Sequence, residues 1–188
     1  MDQKNYTDQD LILECRKGKS RFQEMLYRRF YAFAMSVCLR YAPNRDDALE
    51  ILNDSFMKVF QNIMSYNTEK PFKSWFRKIL VNTSLDKYKE NKKYSVHVEF
   101  DVGELEIASE PDLEKQLNAE EILELLSGLP QIYRLVFNLY EIEGYSHDEI
   151  AGMLDIAPGT SRSQLSRAKL LLKKNFTEMK NKPYHEAI

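Results

Sequence analysis

Gly144-Tyr-Ser-His-Asp-Glu-Ile-Ala-Gly-Met-Leu-Asp-Ile-Ala-Pro-Gly-Thr-Ser-Arg-Ser-Gln-Leu-Ser-Arg-Ala-Lys-Leu-Leu-Leu-Lys-Lys174 reads as two helices joined by a tight turn. Ser146 is placed to cap the first helix, and Glu149, three residues on, completes a capping box. Ile150, Ala151 and Leu154 give that helix one small and apolar face. Asp155-Ile156-Ala157 forms the turn, and Pro158 suits the first position of the next helix. In that second helix Leu165, Ala168, Leu171 and Leu172 recur at helical spacing. Ser161, Arg162, Ser163, Gln164, Ser166, Arg167, Lys169 and Lys173 are assigned to its other faces. A short helix, a tight turn and a basic second helix fit the helix-turn-helix that places its second member in a DNA major groove. The competing reading is a packing hairpin with a solvated face. Two properties favour DNA: ordinary solvent faces mix charge signs, and Arg, Gln and Ser are side chains that hydrogen-bond bases and phosphates.

Charge along the chain supports that reading. The net charge of −2 over 188 residues conceals three blocks. Residues 1–95 carry 18 Lys and Arg against 12 Asp and Glu. Residues 96–157 carry 2 against 15, and residues 158–188 carry 7 against 2. Two basic blocks flanking an acidic one suggest two nucleic-acid contacts and a connection that stays off the phosphates. No apolar run approaches the roughly 18 residues of a membrane span, and the polar start Met1-Asp2-Gln3-Lys4-Asn5 lacks a signal-peptide core. Cys15 and Cys38 have neither paired spacing nor a nearby His cluster, so both are expected as reduced thiols in a cytoplasmic protein with no metal site. No Gly-rich phosphate loop or nucleophile motif is present, so no catalytic residue and no cofactor is assigned.

Helical periodicity dominates outside the acidic block, which predicts an all-α chain of two small helical domains. Residues 8–40 carry Leu11, Ile12, Cys15, Phe22, Met25, Leu26, Phe30, Phe33, Ala34 and Val37 at three- and four-residue steps. Pro43-Asn44-Arg45 interrupts, and Asp46-Asp47 suit the electropositive first turn of a new helix. There Ala48, Ile51, Leu52, Ser55, Phe56, Val59, Phe60 and Ile63 form the inner stripe, and Asp47, Glu50, Asn53, Asp54 and Met57 face outward. Ser65 to Pro71 is expected as a flexible polar loop. A helix from about Phe72 to Glu90 buries Trp75, Phe76, Ile79, Leu80, Thr83 and Leu85. Residues 93–118 form a flexible acidic linker. Helices resume at Glu120–Leu126 and Gln131–Ile142, with Gly144 as a left-handed cap. The tail after Asn175 is expected to fray.

These pieces together resemble an extracytoplasmic-function sigma factor of the sigma-70 family. Asp47-Ala-Leu-Glu-Ile-Leu-Asn-Asp-Ser-Phe-Met-Lys-Val-Phe60 resembles the family's polymerase-docking helix. Phe72-Lys-Ser-Trp-Phe-Arg-Lys-Ile-Leu-Val-Asn-Thr-Ser-Leu-Asp86 resembles the helix beside the −10 element, and Leu129-Pro130 through Arg167-Ala168 resembles the −35 reader. The resemblance implies residues 8–92 as sigma domain 2, 93–118 as linker and 119–176 as sigma domain 4, whose helix-turn-helix reads the −35 element. It implies Asp47, Glu50, Asn53, Asp54 and Met57 as a face for core RNA polymerase. For a captured −10 strand it implies Ser65, Tyr66, Asn67, Lys70, Lys73, Arg77, Lys78, Asn82 and Lys87. For the −35 duplex it implies Thr160, Ser161, Arg162, Ser163, Gln164, Ser166 and Arg167. Phe72 and Trp75 are expected to hold their helix to the core, and His147 to need no chemical role.

The sequence departs from the family pattern in two places. Phe60 stands where Trp is usual, and residues 161–164 read Ser-Arg-Ser-Gln where Val-Lys-Ser-Arg is common, with one fewer cation at Gln164. The implied partners are core polymerase, promoter DNA and an anti-sigma protein. The alternative is a stand-alone helix-turn-helix regulator whose first domain is a sensor.

Overall fold

A computed structural model describes residues 6–94 and 118–181, all helix and connecting turn with no strand among the described residues. The chain divides into two compact units, residues 1–93 and 94–188. Most of the acidic segment read as a linker, residues 95–117, lies outside the described residues. Among the described residues no helix is long and apolar enough to cross a membrane.

The first unit holds α1 (Asp8–Arg16), α2 (Ser20–Tyr41), α3 (Arg45–Asn62) and α4 (Phe72–Tyr94). The periodicity over 8–40 is two helices, not one. Gly18 adopts φ 72°, a left-handed conformation that glycine takes without a Cβ penalty, and it ends α1 one residue after the Lys17 cap. Thr7 caps α1, accepting from Asp10 N at 3.2 Å while Asp10 Oδ2 accepts from Thr7 N at 2.9 Å. Asn44 caps α3 by accepting from Asp47 N at 2.8 Å.

The core of this unit is aromatic. Phe30, Phe56 and Phe76 are almost fully buried. The Phe56 and Phe76 ring centroids are 4.8 Å apart, as are those of Phe30 and Phe72. Full burial of each such ring is worth about 1.5–3 kcal/mol. α3 buries Ala48, Ile51, Leu52, Ser55, Phe56 and Val59, as its periodicity predicts. Cys15 and Cys38 are free and buried; burial pushes their thiols up to about 11 and about 12. Neither is a ready nucleophile, because the thiolate is the reactive form.

The second unit holds α5 (Ala119–Ser127), α6 (Gln131–Phe137), α7 (His147–Leu154) and α8 (Pro158–Asn181). The segment read as one helix to Ile142 changes after Phe137 into a π-helical turn, Asn138–Ile142. Gly144, at φ 78°, then reverses the chain. Leu126, Leu129, Tyr133 and Ala168 form one core cluster, with Leu171 and Leu172 packed against it, so the long α8 is held by α5 and α6 through its apolar stripe.

Candidate nucleic-acid interface

In the second unit, α7 begins at a full capping box. Ser146 Oγ accepts from Glu149 N at 3.3 Å, and Glu149 Oε2 accepts from Ser146 N at 2.8 Å. The bond from Ser146 N–H, and after it one from the Ser146 hydroxyl to the same oxygen at 2.8 Å, hold the Glu149 carboxyl below the usual carboxylate range. Asp155 closes α7 at φ 55°, a conformation that Asp tolerates through local hydrogen bonding, and its N–H donates back to Ala151 O. Pro158 then opens α8. The turn chemistry thus fixes where the basic helix starts.

Of the α8 residues expected on DNA, Thr160, Arg162, Ser163, Ser166 and Arg167 are exposed. Their spacing puts two guanidiniums and three hydroxyls along the outer side of the helix's first three turns. Arg167 Nη1 donates to the Tyr133 hydroxyl at 3.5 Å, a long bond that ties one edge of its guanidinium to α6. Lys169 is ion-paired with Glu141 at 2.7 Å, so its charge is partly spent within the unit.

Two of the expected contacts are placed differently. Ser161 is fully buried and faces the core of the unit, with its Oγ 2.9 Å from His147 Nδ1. It is removed from the DNA-facing set, because a side chain at its point in the helical repeat faces inward with Leu165 and Ala168. Gln164 is half-buried, and its Oε1 is shielded from solvent without a hydrogen-bond partner.

In the first unit, the outward face of α3 divides. Asp54 and Met57 are exposed, Met57 at 58 %. Asp47 Oδ2 accepts from the Asn44 side chain at 2.8 Å as part of the N-terminal cap. Asn53 Oδ1 accepts from the Tyr27 hydroxyl at 3.1 Å. Glu50 is ion-paired with Lys87 of α4, and Lys58 with Asp86 at 2.9 Å. Lys87, expected on DNA, is therefore committed to α3. The groove between the two helices is lined by Asp54, Met57, Gln61, Thr83 and Lys89 among others.

The loop between α3 and α4 is anchored rather than flexible. Arg16, at the end of α1, donates through Nε to Ile63 O at 3.1 Å and through its other guanidinium nitrogen to Tyr66 O. Tyr66 is 5 % exposed, with its ring 4.9 Å from Trp75 and 5.5 Å from Phe72, and its hydroxyl donates to Lys70 O. Its ring is thus part of the packing and does not offer a free face to a base. Asn67 Oδ1 accepts from Glu69 N at 2.9 Å, a side-chain turn that shapes the loop tip. Ser65, Asn67 and Lys70 remain exposed around it.

On α4, Lys73 and Arg77 stand over the Phe33 ring at 5.6 and 5.8 Å. Lys78 and Asn82 are exposed. Phe72 is buried and Trp75 half-buried, which places both in the packing of the helix, as expected. Arg16, Phe33 and His147 are the site-shaping residues that sequence reading does not single out. Their partners lie 47, 40 and 14 residues away in the chain, at separations that carry no local pattern.

Comparison with known proteins places both units. The family model for sigma-70 region 2 matches residues 26–94, and that for sigma-70 region 4 matches residues 119–172. The extracytoplasmic-function RNA polymerase sigma-E factor of Escherichia coli K12 is 27 % identical over 176 residues, covering 87 % of this chain and 91 % of that one. Its Haemophilus influenzae counterpart is 27 % identical over 183 residues, covering 88 % and 93 %. A solved structure of the sigma factor RpoE in complex with the anti-sigma factor NepR from Bartonella quintana matches at TM-score 0.49 and 19 % identity, over 82 % of this chain and 96 % of that chain.

Proposed function

The chain belongs to the sigma-70 family, in its extracytoplasmic-function group, and we propose that it confers promoter recognition on core RNA polymerase in the cytoplasm. The observation that carries this reading is the order of the two matched regions: region 2 falls on an aromatic-cored unit with a basic helix, and region 4 on a helix-turn-helix. The family consists of transcription initiation factors rather than enzymes. Its work is differential binding to closed and opened promoter DNA.

In this reading residues 8–92 form sigma domain 2, residues 119–176 form sigma domain 4, and residues 93–118 link them. Asp54 and Met57 form the centre of the surface for core polymerase, flanked by Asp47, Glu50 and Asn53. Met57 suits the role because an exposed, unbranched thioether adapts to a partner's shape, and Asp54 adds a charge for a basic counterpart.

The loop carrying Ser65, Asn67 and Lys70 takes up a non-template base of the −10 element, with Lys73, Arg77, Lys78 and Asn82 tracking the strand. Hydrogen bonds to a base edge, at about 1–3 kcal/mol for a good bidentate contact, are comparable with the few kcal/mol needed to extrude the base. Strand capture can therefore offset melting without a chemical energy source. A loop held in place by Arg16 suits this task, because its ordering entropy is already spent before DNA arrives.

Thr160, Arg162, Ser163, Gln164, Ser166 and Arg167 face the −35 duplex from α8. The partners are core RNA polymerase and promoter DNA, with an anti-sigma protein as the regulator that family membership implies. The test is assembly: the chain mixed with core polymerase should co-elute as a one-to-one complex that withstands excess non-promoter DNA. A chain that binds DNA but never co-elutes with polymerase contradicts the proposal.

A further inference from the structure

We propose that His147 is a positioning residue that sets the rotation of α8 on α7, and with it the aim of Arg162, Gln164 and Arg167. The proposal rests on the −35-reading role of α8 given above and adds the device that fixes its register.

Three elements meet at the His147 ring. The ring lies on Tyr140 of the π-helical turn, with centroids 4.5 Å apart and planes at 20°. Its Nδ1 and Ser161 Oγ are 2.9 Å apart and share a hydrogen bond whose direction follows the imidazole tautomer. Ser161 itself is fully buried. His147 is the first residue of α7, so a single side chain ties the π turn, the start of α7 and the first turn of α8 together.

The buried residues of α7 are Ile150, Ala151 and Leu154, and His147 is half-buried beside them. Apolar packing of this kind is strong but non-directional. It holds two helices together and leaves small rotations inexpensive. A hydrogen bond has a donor–acceptor window of only about 2.7–3.2 Å, and it is directional. The side chains of α8 sit about 5–6 Å from its axis, so a rotation of about 20° carries their tips by about 2 Å. That displacement exceeds the tolerance of any base contact made from Arg162 or Gln164.

A buried Ser at this point is also a choice that needs a partner. A buried hydroxyl left without a hydrogen bond is destabilising. In this chain His147 answers the hydroxyl. The two residues are 14 apart and read as unrelated in the sequence, and the fold makes them a pair.

The experiment uses the full chain assembled with core polymerase and measures affinity for promoter DNA with an intact and with a scrambled −35 block, over a series of salt concentrations. His147→Phe keeps a ring for Tyr140 and removes the bond; Ser161→Val removes it from the other side; His147→Asn keeps a polar atom for Ser161. The Phe and Val variants should narrow the intact-to-scrambled affinity ratio by about three- to tenfold, with the salt slope unchanged because phosphate contacts persist. The Asn variant should stay within about twofold of the parent. Melting curves of each variant separate misaim from unfolding. Phe and Val variants that are folded and keep the parental ratio overturn the proposal, as does an Asn variant that loses as much as Phe. A parent complex with no preference for the intact −35 block overturns the −35 reading itself, and the proposal with it.

Discussion

The ammonium of Lys87 on α4 is hydrogen-bonded to the carboxylate of Glu50 on α3, a link across two helices whose faces were expected to serve different partners. The bond raises the Lys87 pKa above the ordinary lysine value, with Glu50 as its main cause. Glu50 is therefore neutralised locally, while Asp54, one turn on, faces solvent beside the exposed Met57. On the proposed docking face Asp54 thus carries the most accessible negative charge, since Glu50 is paired with Lys87 and Asp47 is engaged in the N-terminal cap.

Asp54→Lys should weaken core polymerase binding at least tenfold, since reversing a charge at the centre of a polar contact costs about 1.4 kcal/mol or more. Stability should stay within about 0.5 kcal/mol, as for other exposed substitutions. Glu50→Ala should show a smaller effect on binding and a stability loss below about 1 kcal/mol, the range of exposed ion pairs. Titration of core polymerase with each variant, alongside thermal melting, checks the ranking. Equal binding losses for the two would contradict it.

Arg16→Ala should release the loop that follows α3, because Ile63 O and Tyr66 O lose their guanidinium donor. Hydrogen bonds from charged donors contribute about 1.5–3 kcal/mol. Amide exchange across residues 63–70 should accelerate, and opening of the −10 region, followed by permanganate reactivity of its thymines, should fall while polymerase binding persists. Unchanged promoter opening would separate the loop from strand capture.

Arg162→Ala combined with Arg167→Ala should lower transcription from −35-dependent promoters by at least about thirtyfold, at about 1–3 kcal/mol for each of two lost base contacts. Co-elution with core polymerase should be unaffected. Ser161→Ala, by contrast, leaves both guanidiniums in place and removes only the bond to His147, so its loss should be no larger than that expected of Ser161→Val. Equal loss of transcription and polymerase binding in the double Arg variant would refute the division of labour between the two units.

The capping box at Ser146 predicts a pH dependence. Glu149 is held below the usual carboxylate range, so the folded state favours its ionised form. That contribution is fully present above the unfolded value, near pH 4.3, and is lost as pH falls through the lower folded value. The melting-temperature gap between the parent and Glu149→Ala should thus be constant above about pH 6 and close below about pH 4. A gap that widens in acid would contradict the cap.

Much of this architecture is legible in the sequence because it depends on local pattern. The inner stripe of α3, the Ser146 capping box, the Asp155 turn, Pro158 and the Gly144 reversal are each specified within a few residues. The failures are of two kinds. Gly18 sits inside an apolar periodicity that continues on both sides of it, so α1 and α2 read as one element. Tyr66, Ser161 and Lys87 look polar and available, yet each is engaged by a partner distant in sequence or by local packing. Helical phase tells which way a residue faces, but only the assembled unit tells what meets it there.

The central claim is tested most directly by multi-round transcription with purified core polymerase on a library of templates randomised upstream of a fixed transcribed region. With the chain present, initiation should begin at a defined position from templates that share two sequence blocks with a fixed spacing, and core polymerase alone should give no such selection. Transcription that is unchanged by the chain, or enriched for no upstream sequence, would contradict the assignment of this protein as a promoter-reading sigma factor.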